Sequence, residues 1–97
     1  MREMEKEKNL FKNSKLKYEG EYLNGQRNGK GKENYEDGKL QFEGEYLKGQ
    51  RWNGKGYNKN GIIDFQIKDG NGKGKEYYDD GKIKYEGEYL NGKKKEK

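Results

Sequence analysis

YEGEYLNGQRNGKGK at residues 18–32 returns as FEGEYLKGQRWNGKG at 42–56 and, cut shorter, as YEGEYLNGK at 85–93. The first two copies start 24 residues apart; the second and third start 43 apart, too many for one unit and a little short for two. A degenerate copy, FQIKDGNGKGKEYYDDGKIK from Phe65, fills the gap. Four units therefore begin at Tyr18, Phe42, Phe65 and Tyr85. A fixed period of this size marks a repeat architecture, in which each unit buries its apolar face only against a neighbour.

Each unit reads as a β-hairpin. Leu16, Tyr18, Gly20 and Tyr22 alternate with Lys17, Glu19 and Glu21, the period of two of a half-buried strand. The same side recurs as Leu40, Phe42, Gly44, Tyr46, then Ile63, Phe65, Ile67, then Ile83, Tyr85, Gly87, Tyr89. Asp37-Gly38, Asn60-Gly61 and Asp80-Gly81 are two-residue hairpin signals with positive φ at both positions. Asn24-Gly25, Lys48-Gly49, Asp69-Gly70 and Asn91-Gly92 open longer turns. The expectation is an all-β, elongated, single-layer antiparallel meander of about seven strands, on the order of 30–35 Å long. It occupies residues 15–92, between a charged segment at 1–14 and a basic tail at 93–97. For residues 1–14 two readings stand: a short helix whose Met4, Leu10 and Phe11 cap the first hairpin, or a frayed, disordered segment. Paired glycines at 29/31, 54/56 and 72/74 leave room for neighbouring rings.

Composition sets a tension. Only 26% of the 97 residues are hydrophobic and 42% are charged, a pattern typical of disorder because little apolar surface offsets chain entropy. Yet 13% are aromatic, and the two facts agree only if the rings share one face. Of the net charge of +5, residues 18–90 carry −1, so the excess sits in the ends. A basic groove for nucleic acid is not supported. There is no cysteine, no run of about 18 apolar residues and no apolar leader at the N-terminus. The expected setting is cytoplasmic, or peripheral at a membrane or the cytoskeleton.

The unit Y-E-G-E-Y-x-N-G-x-x-N-G-K-G, closed by D-G-K-L, resembles the MORN repeat, and its variant subclass in carrying Asn28, Asn53 and Asn71 where histidine is usual. The third unit departs by lacking the E-G-E core. The resemblance covers residues 15–92 and implies a ribbon of hairpins used for protein–protein contacts. It also implies company: such arrays accompany membrane-junction proteins, plant phosphatidylinositol phosphate kinases and cytoskeletal scaffolds, and bacterial members of the variant subclass are often labelled antitoxin-like.

The residues speak against an enzyme. There is no histidine or cysteine, and Ser14 is the one aliphatic hydroxyl, so nucleophile–base arrangements lack their parts. Gly49–Lys55 matches G-x-x-x-x-G-K, but Gly56 replaces the required Ser or Thr and a turn follows instead of a helix. Asp69–Gly74 resembles an EF-hand loop, with Lys73 where an oxygen ligand belongs. No cofactor and no metal site are expected.

Binding is the remaining class. A single-layer sheet cannot shield both faces, so part of the aromatic side is expected to stay exposed and to receive a partner's helix or strand, or a second copy. The residues concerned are Tyr18, Tyr22, Phe42, Tyr46, Trp52, Phe65, Tyr85 and Tyr89. The alternatives are a peripheral membrane adaptor, with Lys93, Lys94 and Lys95 on anionic lipid, and an antitoxin-like neutraliser. On the other side of the sheet, Lys30 and Lys32 are expected to face Glu19/Glu21 and Glu43/Glu45 across the ladder.

Overall fold

A computed structural model describes residues 5–95. Those residues form nine strands and no helix: β1 Glu5–Leu10, β2 Leu16–Leu23, β3 Gln26–Asn34, β4 Leu40–Leu47, β5 Gln50–Tyr57, β6 Ile63–Ile67, β7 Gly72–Tyr77, β8 Ile83–Leu90 and β9 Lys93–Lys94. All pairings are antiparallel between successive strands, in the order expected of a hairpin meander.

Two strands lie in segments that the sequence reading left outside the array. β1 takes the place of the expected helix or frayed segment. Its alternating EKEK puts Lys6 and Lys8 opposite Glu21 and Glu19 of β2, a pairing available to a strand; a helix there would have had no apolar stripe to bury. At the other end Lys93 and Lys94 are paired with Leu90 and Tyr89, so the array runs past residue 92 and the basic tail begins as a strand. Met4, Glu96 and Lys97 lie outside the described residues.

The two kinds of turn are exchanged relative to expectation. Asn24-Gly25, Lys48-Gly49, Asp69-Gly70 and Asn91-Gly92 are the tight connections, with positive φ at both positions, as a two-residue turn of matching twist requires. The turns at 37–38, 60–61 and 80–81 are longer, closed by Tyr35 N–H to Lys39 O, Asn58 N–H to Ile62 O and Tyr78 N–H to Lys82 O. Only their glycine has positive φ, and the Asp37 and Asp80 carboxylates accept the amides of Lys39 and Lys82, so these residues cap the turn from an ordinary conformation. A fourth turn of this kind joins β1 to β2, with Ser14 at φ 69° in the glycine's place.

The layer is not continuous. β1 to β6 form one sheet and β7 to β9 another. Between them the hairpin closes only at the Lys68–Asn71 bridge, because the third unit is short by the residues that would lengthen β6 and β7. The second sheet turns back on the first, and the molecule measures 37 × 32 × 21 Å. One core serves both: Tyr18, Phe42, Tyr46 and Ile67 of the large sheet with Tyr89 of the small one. Ile67 stands where the other units have their second aromatic, so the degenerate unit still supplies its core residue.

Candidate functional site

The inner face is built from one device used three times. Nine residues after the first aromatic of a unit, just past the tight turn, comes a cation, and it lies on that aromatic's ring. The Arg27 guanidinium is 4.1 Å from the Tyr18 centroid, that of Arg51 4.6 Å from Phe42, and Lys94 Nζ 5.3 Å from Tyr85. Within each unit the two rings meet edge to face, Tyr18 with Tyr22, Phe42 with Tyr46 and Tyr85 with Tyr89. Rings are thus sandwiched between one another and a charged lid, an arrangement that cation–π attraction favours most where water is excluded.

The cations in turn need counter-charges. Glu33 accepts from Arg51 Nε at 2.9 Å and Nη2 at 3.2 Å, and from the Tyr46 hydroxyl at 2.7 Å, with Arg27 Nη1 at 3.6 Å. Gln41 holds Arg51 from the other side at 3.1 Å, and Arg51 also donates to the Lys75 carbonyl, fastening the two sheets. Burial alone would raise the Glu33 carboxyl, but the Arg51 and Arg27 charges and the Tyr46 hydrogen bond hold it down to about 2. Burial raises the Tyr18 hydroxyl to about 12, and pushes that of Tyr46 above the ordinary phenol range with Glu33's charge adding to it. Forty-three residues on, the arrangement recurs with lighter parts: Glu76 accepts from the Tyr89 hydroxyl at 2.6 Å and pairs with Lys94 at 2.9 Å.

Around this cluster lies a cleft of about 550 Å³ lined from both sheets. Its cations are Lys17, Arg27, Arg51, Lys84, Lys93 and Lys94, its acids Glu33, Glu76 and Asp79. Lys17, Gln41, Asp64 and Lys84 are the residues skipped in the strand register at equivalent bulges. Bulges re-aim side chains, and here a single repeat position carries three different residue types.

The proposed partner-binding rings are distributed unevenly. Tyr18, Phe42, Tyr46 and Tyr89 are buried, the first two completely, so the expected exposed stripe is largely the molecule's own core; Tyr46 and Tyr89 reach the cleft wall. Tyr22, Phe65 and Tyr85 are half-buried against that core. Trp52 is half-buried too, with its ring against the tight turns at Gly70 and Gly92. Lys94 and Lys95 are paired with Glu76 and Glu88, while Lys93 is exposed.

The opposite face carries the charge ladder, with Lys30 and Lys32 opposite Glu45 and Glu43 and Lys32 also opposite Glu19. Its contacts, as in Lys32–Glu43 at 3.2 Å and Lys75–Glu86 at 3.5 Å, are exposed on at least one side and each is of small worth.

Sequence reasoning missed Arg27, Arg51, Glu33 and Gln41. The signal was there in G-Q-R, whose arginine falls nine residues past Tyr18 and past Phe42. It also missed what the three asparagines do. Asn28, Asn53 and Asn71 each accept the backbone N–H of the first residue of the next tight turn, Lys48, Asp69 and Asn91, at 2.8–3.1 Å. Beside each, the turn glycine donates to the preceding unit, Gly49 to Arg27 O, Gly70 to Trp52 O and Gly92 to Gly70 O. The tight turns are thereby stacked through two hydrogen bonds apiece, across the sheet break as well as within the first sheet.

Comparison with curated proteins and with solved structures found no match. The MORN repeat model matches residues 18–39, 70–83 and 85–95, which are the β2–β3 hairpin with its long turn, the β7 segment and the β8–β9 hairpin. The middle match begins at Gly70, after the stretch without E-G-E. The repeat belongs to no catalytic class and serves generally in protein or membrane contacts. Since the repeat model matches near the start, in the middle and at the end of the array, the chain belongs to the MORN repeat family.

Proposed function

We propose that this chain is a non-catalytic protein-interaction module that takes an acidic segment of a partner protein in the cleft between its sheets. The observation that carries the reading is the sign of the lining, with six cations against three acids, three of the cations (Lys17, Lys93 and Lys94) coming from the positively charged ends that flank the near-neutral body. Arg27, Arg51 and Lys94 are committed to Glu33, Glu76 and the rings beneath them. Lys17 and Lys84 lie on Phe11 and Tyr78 at the long turns and keep their charge for a ligand. Tyr46 and Tyr89 supply the part of the aromatic face that a partner in the cleft would touch.

A labelled Glu-rich peptide tests this by fluorescence anisotropy, with a Lys-rich peptide as control and phosphatidylserine vesicles in parallel. The Glu-rich peptide is expected to bind, more weakly as salt rises, and the combined Lys17→Glu and Lys84→Glu variant to lose about tenfold in affinity through like-charge repulsion. Equal binding by variant and parent would end the proposal. Binding to vesicles but not to peptide would replace it with the membrane-adaptor reading.

A further inference from the structure

Asparagine followed by glycine occurs six times in the chain, at 24–25, 28–29, 53–54, 60–61, 71–72 and 91–92. The pair carries a chemistry of its own. Because glycine has no side chain, its backbone nitrogen can approach the carboxamide carbon of the asparagine before it and displace ammonia. The fold treats the six copies unequally, and five are held away from that attack.

Asn28, Asn53 and Asn71 have their carboxamide oxygens on the amides of the next tight turn at 2.8–3.1 Å, and Gly29, Gly54 and Gly72 lie within β3, β5 and β7. Asn24-Gly25 and Asn91-Gly92 are two-residue turns whose flanking residues are paired in the ladder, Leu23 with Gln26 and Leu90 with Lys93. No residue is spare there for the backbone to swing, and Gly92 is buried with its N–H on Gly70 O. Asn60-Gly61 differs on each count. Both residues are exposed, in a long turn whose bonds are all local: Asn58 N–H to Ile62 O and Gly61 N–H to Asn58 O. In the sister turns the residue at this place is a cap, with Asn13, Asp37 and Asp80 accepting the amides of Lys15, Lys39 and Lys82. In the third unit Asn58 has taken that task, accepting from both Asn60 and Ile62. Among the described residues the Asn60 carboxamide is left without a partner.

We propose that Asn60 is a site of self-modification, converted to aspartate and isoaspartate by its own backbone. The Gly61 nitrogen loses its proton to solvent and bonds to Asn60 Cγ. The Cγ–Nδ2 bond then breaks, and ammonia leaves with a proton taken from water. A second water opens the resulting five-membered imide. Cleavage at Cγ gives aspartate; cleavage at the main-chain carbonyl gives isoaspartate, with the chain running through Cβ and Cγ. The net change is one water taken up and one ammonia released. The two products differ in consequence. Aspartate at position 60 suits the turn, as Asp37 and Asp80 do in theirs. Isoaspartate adds a carbon to the main chain just before β6, whose Asp64 holds Lys75 Nζ at 3.1 Å and the Tyr77 hydroxyl, so it works against the contact between the sheets.

Incubating the 97-residue chain at mildly alkaline pH, once native and once in urea, followed by peptide mass spectrometry, tests the proposal. In the native chain Asn60 is expected to convert on the order of tenfold faster than the other five, each of which must first give up a hydrogen bond or a ladder pair. In urea, where those restraints are gone, the six rates should converge. Native conversion at Asn60 no faster than at Asn28, Asn53 and Asn71, or a lead that persists in urea, would overturn it. The products are compared by thermal unfolding. Asn60→Asp should melt with the parent and the isolated isoaspartyl form below it. A variant that melts well below the parent, or an isoaspartyl form that melts with it, would overturn the assignment of consequences. The reaction uses no ligand, so the outcome of peptide binding in the cleft leaves this test untouched.

Discussion

Glu33→Gln removes one charge and almost no volume, and its cost measures how far the inner face depends on a buried counter-ion. In the folded chain the side chains of Glu33 and Arg51 are 17% and 10% exposed. Arg51 is left with the Gln41 and Lys75 oxygens, neither of them charged, and breaking a buried pair by deleting one partner costs about 3–5 kcal/mol. The low end applies because the amide still accepts from Arg51 and Tyr46, so about 3 kcal/mol is expected, read from urea unfolding followed by circular dichroism. The built-in control is Glu76→Gln. Its partner Lys94 is 41% exposed and can turn to water, so that change should cost about 1 kcal/mol or less.

Acid supplies an independent reading of the same quantity. The folded carboxyl of Glu33 sits at about 2 against an ordinary 4.5, so folding favours its ionised form. The associated stability is complete above about pH 4.5 and is lost as pH falls towards 2, amounting to about 3 kcal/mol at 1.36 kcal/mol per pH unit. Other carboxylates titrate in the same window, so the informative measurement is the difference between the parent and E33Q as pH falls. The gap between them should close below about pH 4.5. If E33Q costs no more than E76Q, or if the gap stays constant down to acid pH, the argument that Glu33 anchors the guanidinium lids fails.

Three further outcomes are expected. Ser14→Gly relieves a left-handed conformation at φ 69° that costs an ordinary residue roughly 1 kcal/mol, partly offset by glycine's freedom in the unfolded chain; the net gain of about 0.5 kcal/mol should raise the melting midpoint by about 2–4 °C, and a fall would show that Ser14 has another role. Asn71→Ala removes the acceptor 3.0 Å from the Asn91 amide and should cost about 1 kcal/mol, with faster hydrogen exchange at Asn91 as its local sign; unaltered exchange would refute the turn-stacking role. Gly44→Ala puts a Cβ 1.9 Å from the Asn53 carbonyl oxygen, backbone against backbone, and should cost about 3 kcal/mol as β4 and β5 are forced apart; a loss under 1 kcal/mol in urea unfolding would show that the strands separate freely.

What could be read in advance followed from periodicity. The alternation of Tyr18, Gly20 and Tyr22 with Glu19 and Glu21 decides strand and face together, so hairpins, sheet order and the Glu–Lys ladder were all legible. β1 was legible in principle, since KEKNLFKNSK lines up with KGKENYEDGK one period on, but the two substitutions that hide it fall on the diagnostic residues: Glu7 for glycine, and Ser14 for the turn glycine. The turn types were misjudged for a different reason. Asp-Gly and Asn-Gly suit both a two-residue turn and the end of a longer one, and only the strand register decides between them. The sheet break and the cleft depend on residues that are absent from the third unit, and composition carries no trace of where a shortened hairpin will swing. Most of the cleft's chemistry was hidden because Arg27 and Glu33 look like ordinary members of a charged surface until the fold turns them inward.

That inward turn also resolves the compositional conflict. With so few aliphatic residues, the chain has little besides its small second sheet to lay over its rings, and a bare single sheet would leave Tyr18 and Phe42 wet. Guanidinium groups do what leucines would do elsewhere. They are flat, weakly hydrated and able to lie on a ring while their edges hold carboxylates, so each lid covers apolar surface and stays solvated by Glu33 instead of by water. A charge fraction of 42% therefore counts partly towards the core here and not wholly against it. The third unit marks the limit of the device: the Gln-Arg pair between the tight turn and the asparagine is missing there, with Asn71-Gly72 in the place of Asn28-Gly29, and Arg51 reaches the Phe65 ring only at 5.9 Å. Where the lid is missing, Phe65 is covered instead by the second sheet, which packs Gly74 and Tyr89 in its direction. The break in the ribbon and the loss of the cation fall in the same unit, and the fold-back that the break permits supplies the cover that the lost cation would have given.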